Sequence, residues 1–162
     1  MATIELRDSA HTYEPDSDDP TFALKALNLV WKDGGTYALL GPSGCGKTTM
    51  LNIISGLIRS TRGKILFDGV DFSQFPTTKR NIAQVFQFPV IYTLMSVQEN
   101  LEFPLVCRKI PQGERIRRVN EVAELLNLKD KLNRPARKLA ADEKQLISLG
   151  RGLVRNDVSA LL

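Results

Sequence analysis

An α/β fold with a helical insertion is what this sequence predicts, on three observations. Strand-like and helix-like runs alternate around a glycine-rich loop, the pattern of a mixed α/β domain. The loop itself, "GPSGCGKTT" (Gly41–Thr49), is entered by an apolar run and left by a helical one. From Phe88 to about Ala141 strand texture gives way to helix and loop, and a strand-like run returns only at the end.

Each element has its own local reason. "TIELRD" (residues 2–7) alternates apolar and polar side chains and reads as a strand. "DSDDP" is an acidic turn with a proline stop. "FALKALNLVW" reads as a second strand, closed by the turn "KDGG". "TYALL" (residues 36–40) is a short apolar run whose length and tyrosine predict a buried strand feeding the loop. The helix after the loop is expected to run through Leu57, with Met50, Leu51, Ile54 and Leu57 on one face. "KILFDG" and "NIAQVFQ" are two further strand candidates. In "ERIRRVNEVAELLNL", Ile116, Val119, Val122, Ala123 and Leu126 recur at helical spacing. Leu146, Ile147, Gly150, Leu153 and Val154 do the same after Asp142, and "VSALL" reads as the start of a strand. Three segments result: a β-rich core with the loop (1–87), a helical subdomain (88–141) and a return to the core (142–162).

Composition narrows the function. At 162 residues the chain can bury a sizeable core. No apolar run approaches the ~18 residues of a membrane-spanning helix. The first twenty residues mix acids with polar groups, which predicts a cytoplasmic chain without a secretion signal. Cys45 and Cys107 stand in no metal-ligand spacing, and His11 is the single histidine. The net charge of +4 is scattered; its densest cluster, "RKIPQGERIRR", reads as a solvated helix face and not as a nucleic-acid surface.

The loop carries the chemistry. Gly41-x-x-x-x-Gly46-Lys47-Thr48 fits the phosphate-binding Walker A pattern at every fixed position. Glycines let the backbone curl so that the N–H groups of Gly41, Ser43, Gly44, Cys45 and Gly46 can point inward at phosphate oxygens. The start of the helix, with Thr48 and Thr49, adds its positive end. Lys47 supplies a mobile point charge for the outer phosphates, and the Thr48 hydroxyl is a Mg²⁺ ligand candidate. The expected ligand is a nucleoside triphosphate with Mg²⁺. Two strand candidates before the loop argue against a small kinase, and no Asn-Lys-x-Asp guanine motif follows.

The strings "GPSGCGKTTMLNIISGL", "GKILFDGVDFSQFPTTKRNIAQVFQ" and "ISLGRGLVRNDVSALL" resemble the ATP-binding subunits of ABC transporters, within the P-loop NTPases. The likeness covers almost the whole chain and points to the sugar and polyol importer branch, nearest to an ATPase subunit of a bacterial glycerol importer. The resemblance implies that Tyr13 stacks on adenine and that Gln87 reaches Mg²⁺ and the attacking water, so that Gln87 would be catalytic. It also implies that the helical subdomain docks membrane permease subunits. The chain would then act on the cytoplasmic face of the inner membrane, with a periplasmic binding protein as an indirect partner and ATP and Mg²⁺ as cofactors.

Two departures from the family follow. The signature, usually Leu-Ser-Gly-Gly-Gln, is here "LAADE" (Leu139–Glu143), which loses the hydroxyl and gains two carboxylates. Asp142 followed by Gln145 reads as a capping box. ATP sites in this family are shared between two subunits, so a poor signature implies a heterodimer of ATPase subunits. The second departure is that the Walker B acids and switch histidine do not follow "VSALL". The chain is therefore expected to be the truncated, nucleotide-gripping part of an ATPase and to lack hydrolysis by itself. The alternative is a nucleotide-binding regulatory partner that never hydrolyses.

Overall fold

The computed structural model describes residues 2–162, which fold as two compact units. One runs through Ile82 and takes in Leu162; the other is Ala83–Leu161.

The first unit is built on an antiparallel sheet. Its strands are β1 (Ile4–Thr12), β2 (Phe22–Trp31), β3 (Arg62–Phe67) and β4 (Val70–Asp71), in the order β2-β1-β3-β4. Alternation sets the register. Ile4 pairs with Trp31 on one side and Phe67 on the other, and Ile4 and Leu6 are both buried. The alternation breaks at Asp8, which adopts a left-handed φ of 46° and shifts both ladders. Asn28 satisfies the break, because its Oδ1 accepts from the Asp8 N–H at 2.8 Å and its Nδ2 donates to Asp8 Oδ1 at 2.7 Å.

Helix α1 (Lys47–Ser55) follows the loop and buries Met50, Ile53 and Ile54. It stops at Gly56, whose φ of 79° forms a left-handed cap, so Leu57 lies beyond the helix and is half exposed. The expected strand over residues 36–40 does not form, and Leu40 is 91% exposed. A five-residue apolar run becomes a strand only when its backbone groups find a ladder, and Thr36–Leu40 pairs with none of the described strands.

A short helix, α2 (Thr77–Arg80), brings Arg80 into the core at 1% exposure. Among the described residues no carboxylate is bonded to it. The guanidinium donates instead to four carbonyls: Nη1 to Ile53 at 2.7 Å and Ile54 at 3.1 Å, Nε to Phe75 at 3.0 Å and Nη2 to Ser73 at 3.2 Å. A cation thus closes the C-terminal end of α1, where the helix dipole is negative. Burial lowers the Arg80 pKa and Arg59 adds to that, but a guanidinium keeps its proton under such pressure.

The second unit opens with β5 (Ile82–Ala83), which pairs with β6 (Ala160–Leu161). The strand expected over "NIAQVFQ" is thus only two residues long. Between these strands lie α3 (Val97–Cys107), α4 (Gln112–Leu125) and α5 (Ala141–Leu153). Val97, Leu101, Leu105, Val119, Val122, Ala123 and Ile147 form their shared core. Ser96 caps α3 reciprocally: its Oγ accepts from the Glu99 N–H at 3.2 Å, and Glu99 accepts from the Ser96 N–H at 2.7 Å. Helix α5 comes close to α3 because Gly150 has no side chain; a Cβ there would lie 2.5 Å from Leu101 Cδ2.

Arg80→Met keeps the apolar stem but removes the guanidinium from the carbonyls of Ile53, Ile54, Ser73 and Phe75, of which Ile53 keeps the Gly56 N–H. The expected loss is about 1–3 kcal/mol, the cost of stranding a buried acceptor. Urea unfolding checks it; an unchanged midpoint would show that these bonds contribute nothing net.

Candidate functional site

The loop between Leu40 and α1 is shaped by glycines in conformations other residues avoid. Gly44 and Gly46 have φ of 81° and 90°, and Gly41 has φ of 156°. At Gly46 the constraint is double, because a Cβ would also lie 2.5 Å from the Ala23 carbonyl oxygen. Gly44 faces open space. Gly46 is the N-cap of α1, yet no side chain caps the helix and its first turn holds no acid. The positive end of α1 is therefore left for an external anion.

Lys47 folds back over this loop. Its Nζ donates to the carbonyls of Gly41 and Pro42, each at 2.7 Å, and lies 3.5 Å from Cys45 Sγ. Ser43, Gly44 and Cys45 are exposed at the loop crest, and the Thr48 side chain is exposed on the first turn of α1. The loop borders a cleft of about 470 Å³ lined by Ala23, Leu24, Leu39, Gly46, Lys47 and Met50 among others.

Tyr13 stands just past the end of β1, 63% exposed. Its hydroxyl lies 3.4 Å from Thr49 Oγ1 on α1, which ties the tyrosine to the helix that follows the loop. The structure therefore brings Tyr13 together with Gly41–Thr49, 36 positions of sequence separating Tyr13 from Thr49. Uncapped donors, a mobile ammonium, a hydroxyl and an exposed aromatic ring fit a phosphorylated aromatic ligand and a hard cation. Gln87 belongs to the second unit, exposed on the segment after β5.

At the signature position the expected capping box over Asp142 and Gln145 does not form. Helix α5 starts earlier, with Ala140 as N-cap. Glu143 takes the reciprocal role, its Oε2 accepting from the Ala140 N–H at 3.0 Å, and alanine has no oxygen to return. Gln145 is drawn elsewhere: its Nε2 donates to the Phe86 carbonyl at 2.8 Å. Glu143 is also bonded to Lys131, so one of the two carboxylates is neutralised by a cation, while Asp142 stays exposed.

The family profile described as ABC transporter matches residues 24–162. An sn-glycerol-3-phosphate import ATP-binding protein of Rhizobium johnstonii is 38% identical over 161 residues, which is 99% of this chain and 45% of that protein. A trehalose/maltose import ATP-binding protein of Thermococcus litoralis is 45% identical over 139 residues, 82% of this chain and 37% of that one. The chain thus spans less than half the length of these relatives. Among solved structures, an ATP-binding cassette dimer in a post-hydrolysis state with ADP and Pi superposes with a TM-score of 0.82 at 29% identity, covering 94% of this chain and 70% of that one.

The hydrogen bonds from Lys131 and then from the Ala140 N–H hold the Glu143 carboxyl below its ordinary pKa. A depressed carboxyl contributes stability above its unfolded value, and that stability is lost as pH falls through the folded one. Glu143→Gln should therefore melt below the parent protein at pH 7, with the gap narrowing as pH drops below about 4.5. Thermal melts across that range check it; a gap independent of pH would contradict the ionic role.

Proposed function

Because the chain belongs to the ABC transporter family, we propose that its first unit binds Mg·ATP between the Gly41–Thr49 loop and Tyr13. On this reading the whole protein is the ATPase subunit that powers import of a small polyol, glycerol or its phosphate, or of a sugar. The observation that carries it is the tie between Tyr13 and Thr49 beside an uncapped glycine loop: a base platform bonded to the helix that carries the phosphate cradle.

Each residue has a physical task. N–H groups of Ser43, Gly44, Cys45, Gly46, Thr48 and Thr49 would hold phosphate oxygens. Gly41 and Gly46 supply the curl that aims those groups. The Lys47 ammonium, which now holds the Gly41 and Pro42 carbonyls, would turn to the outer phosphates. The Thr48 hydroxyl and Gln87 would ligate Mg²⁺, and Gln87 would orient the attacking water. Bound Mg²⁺ spreads the negative charge of the phosphates and of the transition state. Tyr13 would stack on adenine. The chain's contribution to catalysis is mainly preorganised positive potential.

The assembly is proposed on the same premise. Two ATPase subunits close over ATP, and membrane permease subunits dock on the second unit at the cytoplasmic face, coupled indirectly to a periplasmic binding protein. No helix among the described residues is long and apolar enough to cross a membrane. At Leu139–Glu143 the Ala140 N–H is already engaged by Glu143, and no hydroxyl is present for a facing γ-phosphate. A partner subunit with a complete signature would supply what this one lacks, so the dimer is proposed to be a heterodimer.

Lys47→Ala should abolish Mg·ATP binding by calorimetry in protein whose fold is intact by circular dichroism; unchanged affinity would overturn the phosphate assignment. Tyr13→Ala should weaken Mg·ATP by about 1–3 kcal/mol, the range for base–aromatic stacking. Tripolyphosphate, which has no base, should bind Tyr13→Ala as it binds the parent protein. Equal losses for both ligands would show that Tyr13 supports the fold and not the base.

A further inference from the structure

We propose that His11 is a positioning residue of the nucleotide-base subsite, holding the Tyr13 ring at one side while Thr49 holds its hydroxyl. The inference rests on the reading of Tyr13 as the base platform.

His11 lies near the end of β1, and Tyr13 follows it by two residues at the bend where the strand stops. Their rings meet at a centroid distance of 4.5 Å with planes at 88°, an edge-to-face pair. The two side chains differ in one respect: Tyr13 is largely exposed, whereas His11 keeps only 9% of its surface. An exposed ring thus leans on a buried one. His11 is itself fixed, with Nδ1 3.4 Å from Thr61 Oγ1. Thr61 Oγ1 is held in turn by the Thr12 backbone, 3.3 Å from its carbonyl oxygen and 3.1 Å from its N–H. Nε2 is buried with no hydrogen-bond partner among the described residues.

An imidazole that leaves one nitrogen unsatisfied is a poor choice for packing alone, because burial of an unpaired polar atom is unfavourable. What it supplies is a flat, rigid wall for Tyr13. With Thr49 at the hydroxyl, the platform is restrained at two points before any base arrives. Ordering a free side chain on binding costs affinity, and a prearranged ring avoids that cost. His11 touches no phosphate group on this reading, so its effect falls on the base alone.

Two variants separate the ring of His11 from its polar bond. His11→Asn keeps a polar group toward Thr61 and loses the ring; His11→Phe keeps a flat ring and loses the polar group. Affinities for Mg·ATP and for Mg·tripolyphosphate are measured by calorimetry for both, beside the parent protein and Tyr13→Ala. The expected result is that His11→Asn binds Mg·ATP about three- to tenfold more weakly, the range for ordering one side chain, with tripolyphosphate unchanged. His11→Phe should bind both as the parent protein does. Three results overturn the proposal: no loss of ATP affinity in His11→Asn, equal losses for the two ligands, or a loss in His11→Phe as large as that in His11→Asn. The Tyr13→Ala arm tests the underlying reading separately. An ATP-selective loss there with a silent His11→Asn would sink the role of His11 alone, while equal losses in Tyr13→Ala would remove the base platform itself.

Discussion

The turn at Gly46 is the constraint on which the phosphate-loop unit depends, because two independent restrictions meet at that residue. Its φ of 90° strains any side chain, and the Ala23 carbonyl occupies the space a Cβ would need. The chain can therefore leave the loop and enter α1 with its backbone close against β2 only if this residue is glycine. Everything functional in the unit follows from that start. Lys47 becomes the first residue of α1 and can reach back to the loop's own carbonyls; Thr48 and Thr49 fall on the first turn; and Met50, Ile53 and Ile54 face inward.

The two ends of α1 are treated oppositely. At the N-terminus no acid and no capping side chain satisfies the positive end, a choice that costs helix stability and leaves an anion site. At the C-terminus the Gly56 cap and the buried Arg80 guanidinium meet the carbonyls of Ile53 and Ile54. One end is stabilised so that the other can remain open. The second unit follows a different logic. It holds its helices by an apolar core, by the reciprocal cap at Ser96 and Glu99, and by close approach at Gly150.

Much of the site was legible because its chemistry is written in adjacent residues. The span Gly41–Thr49 carries both the conformational requirement and the charge, and β2 was bounded correctly from its flanking turns. Four features were not legible. Residues 36–40 have the composition of a buried strand, but a strand is a pairing, and composition does not name a partner. The start of α5 was misplaced because Glu143 and not Gln145 reaches back to the helix end, a competition decided by where Lys131 and the Phe86 carbonyl lie. Arg80 looks like any charge in a polar stretch; only folding makes four carbonyls converge on it. His11 looks like an isolated histidine near a strand end, and neither its burial nor its contact with Tyr13 shows in the sequence.

The central claim is that the donors left open by the Gly46 turn receive the phosphates of a nucleotide. Titration of the isotopically labelled chain with Mg·ATP, followed by amide NMR, addresses those donors one at a time. The largest shifts are expected at the amides of Gly44, Gly46, Lys47 and Thr48, saturating together. Saturable binding that leaves these four amides unmoved while others shift would contradict the account.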